Sequence, residues 1–200
     1  RAMNAGARRA VSLVCMTGVA AFALACPGPE TPDAGGPDLF RVAASGVPGG
    51  SLLSVWGDPA HQRAFLAGGF VGVDVAQLGS MPAGRLVEYT RGQFVTRCTT
   101  DAALWWVAGD TATGVVWAVG DRGRVLRYAN GRCETMEHGL TWAEGAPTFW
   151  GAVSDLAGGV WVVGGSPSPD GPHGVMVRFD GAAWSKVELP EGVRGENLYK

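Results

Sequence analysis

Trp117-Ala118-Val119-Gly120-Asp121-Arg122-Gly123-Arg124-Val125-Leu126-Arg127-Tyr128-Ala129-Asn130-Gly131 is the stretch that decides the fold. Two short apolar runs flank a tight polar break at Asp121-Arg122, and a second break follows at Asn130-Gly131. Asn-Gly between apolar runs is a hairpin signal, because both central residues of that turn take φ > 0. Val, Trp and Tyr suit a pleated, half-buried surface, so the runs read as antiparallel strands. Working outward, Leu104–Gly109 supplies a strand before the stretch and Cys133–Met136 one after it. Four short strands joined by tight turns make one up-and-down sheet.

The same unit recurs at a spacing of 44 to 52 residues. Phe65-Leu66-Ala67-Gly68, Trp117-Ala118-Val119-Gly120 and Trp161-Val162-Val163-Gly164 align, and each is preceded by an Asp: Asp58, Asp110 and Asp155. Gly84–Tyr89, Gly123–Tyr128 and Gly174–Phe179 form a second aligned set, the last closed by Asp180-Gly181, which reads as another hairpin turn. A β-sandwich also offers short strands and turns, but it does not repeat its sequence. The fold class expected is therefore all-β, with β-propeller-type repeats of four-stranded antiparallel blades. Blades span about 51–98, 103–138 and 148–190, and 196–200 opens a further one. Closed propellers need about four to eight blades, so the chain is expected to be an N-terminal fragment of a longer protein.

Within the repeat, Trp56, Trp117, Trp150 and Trp161 are expected to be wedges between blades, and the three Asp residues to hydrogen-bond their own turns. The connection between second and third strands is tight in the middle repeat but long at Gly69–Ala83 and Gly165–His173. Long loops on a rigid scaffold often carry function, though surface loops also tolerate insertion.

The residues ahead of the repeats read as an address. Arg1, Arg8 and Arg9 make residues 1–10 basic, and Val11–Ala25 is fifteen residues without a charge. A helix of that length reaches about 22 Å, short of the ~30 Å hydrocarbon core of a bilayer. Basic flank, short apolar run and small residues at its end make 1–25 a secretory signal. Residues 26–46 begin with Cys26 and continue as a Pro/Gly-rich tether, and 47–200 is the propeller region.

Ala23-Leu24-Ala25-Cys26 resembles a bacterial lipobox, which implies lipid attachment at Cys26 after cleavage before it. The lipobox pattern prefers Leu where this chain has Ala23. The same residues also satisfy an ordinary signal peptidase, which would leave Cys26 as a free first residue. Pro27 rather than Asp after the cysteine implies, by the same resemblance, an outer-membrane lipoprotein facing the periplasm or cell surface; the alternative is a secreted or periplasmic soluble protein.

The formal net charge is −2, with sixteen Lys and Arg against eighteen Asp and Glu. Setting aside the three signal arginines leaves an acidic body, which argues against nucleic acid as a partner. Of four cysteines, Cys15 lies in the signal and Cys26 at its end. Cys98 and Cys133 remain, an even pair that an oxidising compartment can join; their differing offsets from the preceding turn leave two buried thiols equally open. His61, His138 and His173 fall in loops, without metal-ligand spacing, and are expected to be solvated. The arginines are expected mainly on solvent-facing strand and hairpin positions. No nucleophile motif, phosphate loop or dinucleotide fingerprint occurs, so no catalytic residue, metal or cofactor is assigned.

Together these repeats resemble the exported propeller repeats related to the Kelch and sialidase-type (Asp-box) groups. The Trp-Ala-Val-Gly … Gly-x-Val-Leu-Arg-Tyr pattern is similar to that of lipoproteins of Gram-negative bacteria. Ser154–Trp161 matches the Asp-box only loosely, and no active residue of either group carries over. The reading is a lipid-anchored, non-catalytic binding or scaffold module for a protein or glycan. The alternative is a secreted propeller enzyme, a carbohydrate hydrolase or lyase whose site lies in further blades.

Overall fold

The structure is a computed structural model, and it describes residues 45–140, 145–155, 157–166, 174–193 and 196–199. Cys26, the apolar run 11–25, the tether and His173 lie outside the described residues. Among the described residues twelve strands form three sheets of four. The first is β1 (Ser51–Asp58), β2 (Arg63–Gly69), β3 (Gly84–Thr90) and β4 (Gln93–Thr100). The second is β5 (Leu104–Gly109), β6 (Val116–Gly120), β7 (Val125–Ala129) and β8 (Arg132–Thr135). The third is β9 (Thr148–Ser154), β10 (Val160–Gly165), β11 (Val175–Phe179) and β12 (Trp184–Lys186). Every pairing is antiparallel between neighbours in sequence. The fold is all-β with propeller-type blades, their inner strands β1, β5 and β9 side by side.

Alternation along each strand puts successive side chains on opposite faces of the sheet, and the middle blade uses both faces. Val116, Ala118 and Leu126 meet Phe65, Ala67 and Leu86 of the first blade in one core. Trp117, Val119 and Val125 meet Phe149, Val160, Val162 and Val177 of the third in another. Trp117 is fully buried, a wedge between blades as its recurrence implied. Trp56 also packs at an interface, against Phe65 and over Gly109, where a Cβ would overlap its ring. Trp161 occupies the place of Trp117 on the outward face of the third sheet, beneath Arg178, and there it is half-buried.

The hairpin turn at Asn130-Gly131 has φ of 52° and 76°, the left-handed pair its sequence requires. Arg91-Gly92 adopts the same turn at 50° and 80°. Asp180-Gly181 does not: only Gly181 has positive φ, and Asp180 Oδ1 accepts from the Ala182 and Ala183 N–H groups instead. An Asp side chain that caps its own loop removes the need for the two-residue turn.

Cys98 on β4 and Cys133 on β8 are disulfide-bonded, with Cα atoms 5.8 Å apart. The bond ties the rims of the first two blades. Nearer the axis, Ser54 Oγ accepts from the Val107 N–H at 3.2 Å, so these blades are joined at both ends.

His138 departs from the solvated position expected of it. It is half-buried against Phe149 and Trp184, and its Nδ1 accepts from the Leu140 N–H. Burial pushes its pKa below the ordinary histidine value. His61 is on the surface but not merely solvated, because its Nδ1 lies 2.8 Å from Asp58 Oδ2.

Candidate functional site: an aromatic row on the inner strands

The ladder between the first and second strands skips one residue in every blade. The register of β1 jumps from Leu52 to Ser54, and that of β5 from Leu104 to Trp106. On β9 it jumps from Phe149 to Gly151, opposite Gly164 and Val163. The residues left out are Leu53, Trp105 and Trp150, one repeat position occupied by a large apolar side chain three times over. A bulge of this kind bends the strand and re-aims the extra side chain. These three side chains line one cleft of about 410 Å³, and Tyr199 is its fourth wall. Tyr199 follows Leu198 as Leu53 follows Leu52, so it continues the same column of the repeat. Its ring stacks on Trp150 with centroids 4.7 Å apart and planes 21° from parallel.

Trp105 is held in place by polar contacts outside the cleft. Its Nε1–H donates to Asp121 Oδ1 at 2.7 Å, and Thr148 Oγ1 donates to the same oxygen at 3.1 Å. Asp121 belongs to the tight turn of the middle blade, and its own N–H donates to the Ala103 carbonyl. The short connection that leaves no loop in this repeat therefore orients an aromatic face. Leu53 and Tyr199 are exposed, and Trp105 and Trp150 half-buried, so flat apolar faces are offered to solvent without a charged group among them. Trp150 is thus not a wedge between blades. The bulge turns it out of the interface.

A second cavity, of about 490 Å³, lies on the outward face of the third sheet, lined by Trp106, Val153, Trp161, Val163 and Met176. The equivalent faces of the first two sheets are core, so this surface is built as a packing face.

The three repeat aspartates divide. Asp110 and Asp155 serve their turns, accepting from the Ala112 N–H at 2.8 Å and the Ala157 N–H at 3.0 Å. Asp58 does not: it is fully buried and takes its bonds from His61 Nδ1 and Arg63 Nε, the latter at 2.9 Å. Burial opposes ionisation there, and the His61 and Arg63 bonds outweigh it, holding the carboxyl below the usual carboxylate range. Glu88, also buried, pairs with Arg97 at 2.6 Å and lies 3.8 Å from Arg63. This chain of charges uses its own members as partners. Among the described residues no group of three His, Cys, Asp or Glu is placed to hold a metal ion.

The sequence leaves the long second-to-third-strand loops open between function and tolerated insertion, and does not single out Leu53, Trp105 or Tyr199. The loop at 69–83 is instead anchored, with Asp74 Oδ1 capping a single 3-10 turn at Val75–Leu78 and Leu78 buried. Most of the loop at 165–173 lies outside the described residues. The overlooked column was visible in principle, as an apolar residue directly after Leu52, Leu104, Phe149 and Leu198.

Comparison with known families and with curated proteins finds no match. Among solved structures, the chain is similar to YCF48 from Cyanidioschyzon merolae, with a TM-score of 0.48 and 14% identity. That likeness covers 82% of this chain and 47% of the other, so this chain spans about half the length of that protein.

Proposed function

We propose that the protein is an exported, lipid-anchored binding module whose ligand docks on the aromatic row. The observation that carries this reading is the bulge repeated at Leu53, Trp105 and Trp150, which places apolar faces in one cleft where sheet packing has no use for them. A half-buried indole held by Asp121 is preorganised, so little side-chain freedom is lost on binding. The lining carries no free charge, and this favours a ligand with an apolar face: the C–H face of a sugar ring in a glycan, or an apolar side chain of a protein.

Titration with neutral oligosaccharides and, separately, with peptides carrying a central Trp or Leu tests the site through tryptophan emission. One class is expected to give a saturable change. Trp105→Ala with Trp150→Ala should weaken that binding by about 30-fold or more, as loss of central aromatic anchors does. Equal affinity in the wild type and the double variant would refute the site. The anchor has a separate test. Growth with an alkyne-tagged fatty acid should label the exported protein, and Cys26→Ser should abolish the label while leaving a processed, soluble product.

A further inference from the structure

Arg85, the second residue of β3, is 8% exposed. Its Nε and Nη2 are both buried, and neither has a hydrogen-bond partner among the described residues. A guanidinium out of water without an anion is costly, and proteins rarely leave one so. The repeats show what is missing. Arg124 stands at the same position of the second blade, and its Nη2 lies 2.6 Å from Asp101 Oδ1. Asp101 precedes Leu104 by three residues. The corresponding residue before Leu52 is Gly49, and before Phe149 it is Ala146; the third blade has Val175 in place of the arginine. The second blade thus carries both charges, the third neither, and the first the cation alone.

Gly49 is no accident of composition. A Cβ there would overlap the Arg85 guanidinium, so the group sits where a side chain of residue 49 would have been. Its φ of 97° is itself a left-handed conformation that favours glycine. The backbone at Gly49 makes room for the cation, and the described residues supply no acid to pair with it.

We propose that Arg85 is a binding site for a carboxylate brought from outside the chain, taking the role that Asp101 plays in the second blade. Nε and Nη2 lie along one edge of the guanidinium, the edge that grips a carboxylate through two parallel N–H···O bonds. Burial alone lowers the Arg85 pKa, no acid offsetting it, in keeping with a cation that lacks its counter-ion. Both nitrogens are covered, so binding requires the covering chain to shift, Gly49 among it. The carboxylate is that of a free acid or of an acidic side chain in a partner polypeptide.

The test follows the Arg Nε–Hε signals of the full chain by 15N NMR, with Arg85→Met identifying the Arg85 signal. Three additions are compared at equal ionic strength: sodium acetate, a Gly-Glu-Gly peptide blocked at both ends, and sodium chloride. A saturable downfield shift with acetate alone assigns the site to free acids. A shift with the peptide, with or without acetate, assigns it to an acidic side chain. Arg85→Met should also raise the melting temperature of the ligand-free protein, since an unpaired buried charge is gone, and abolish any rise that acetate gives the wild type. An Arg85 signal that neither carboxylate moves, or that chloride moves equally, overturns the proposal. So does an Arg85→Met protein that melts lower than the wild type while its stability still responds to acetate.

Discussion

Cys98→Ala combined with Cys133→Ala is expected to lower the unfolding free energy by about 4 kcal/mol, on the chain-entropy estimate for a loop of this size. The two cysteines are 35 residues apart in sequence, and the loop they close contains most of the second blade. In the unfolded chain the bond holds the rims of two blades within reach of one another. Without it, that closure is paid for again on folding. A loss of this size is a large fraction of the ~5–15 kcal/mol that holds an ordinary domain together. Urea melts of the oxidised protein, the reduced protein and the double variant measure it. The reduced and double-variant curves should fall together, well below the oxidised one. A difference under about 1 kcal/mol would mean that the core between the blades fixes the rims unaided. Single replacements should resemble the double one in stability, each leaving one thiol free to react with an alkylating reagent.

The repeated sheets could be read from the chain because strand alternation and turn residues are local. Val116 to Gly120 and Val160 to Gly164 are identical except for Ala118 against Val162, and in the structure their side chains alternate between the same two faces. The bulges were not legible in that way. A skipped residue such as Trp150 belongs to the register of two strands, and nothing in Phe149-Trp150-Gly151 by itself says which residue loses its partner. From sequence alone Trp150 therefore reads as a wedge.

Arg85 was hidden for a related reason. Its burial depends on Gly49, thirty-six positions earlier in the chain, and an arginine on a strand otherwise reads as surface. The disulfide needed tertiary geometry too. Cys98 pairs across from Leu86 and Cys133 from Tyr128, positions three residues apart in the repeat. Each sheet is twisted, so the outer strands of neighbouring blades approach at unequal heights.

Trp117→Ala is expected to cost about 3–5 kcal/mol, the range for removing a buried aromatic from a core that cannot collapse around the space. The ring is fully buried between the second and third blades. It meets Phe179 at 5.6 Å and Trp184 at 6.4 Å, both edge-on, and Arg127 lies over it at 5.9 Å. Its Nε1–H has no hydrogen-bond partner among the described residues, so part of what the indole contributes by packing is offset by an unmet donor. Trp117→Phe tests that division. It keeps an aromatic wedge, removes the N–H, and restores the residue that Phe65 supplies in the first repeat, so its cost should stay below about 1.5 kcal/mol. Trp161→Ala is the matched control. It truncates the equivalent residue on the outward face of the third sheet, where the ring is half-buried beneath Arg178, and should cost less than half as much as Trp117→Ala. Denaturant melts of the three variants decide the matter. Equal losses for Trp117→Ala and Trp161→Ala would show that the indole stabilises its own sheet, not the junction between blades.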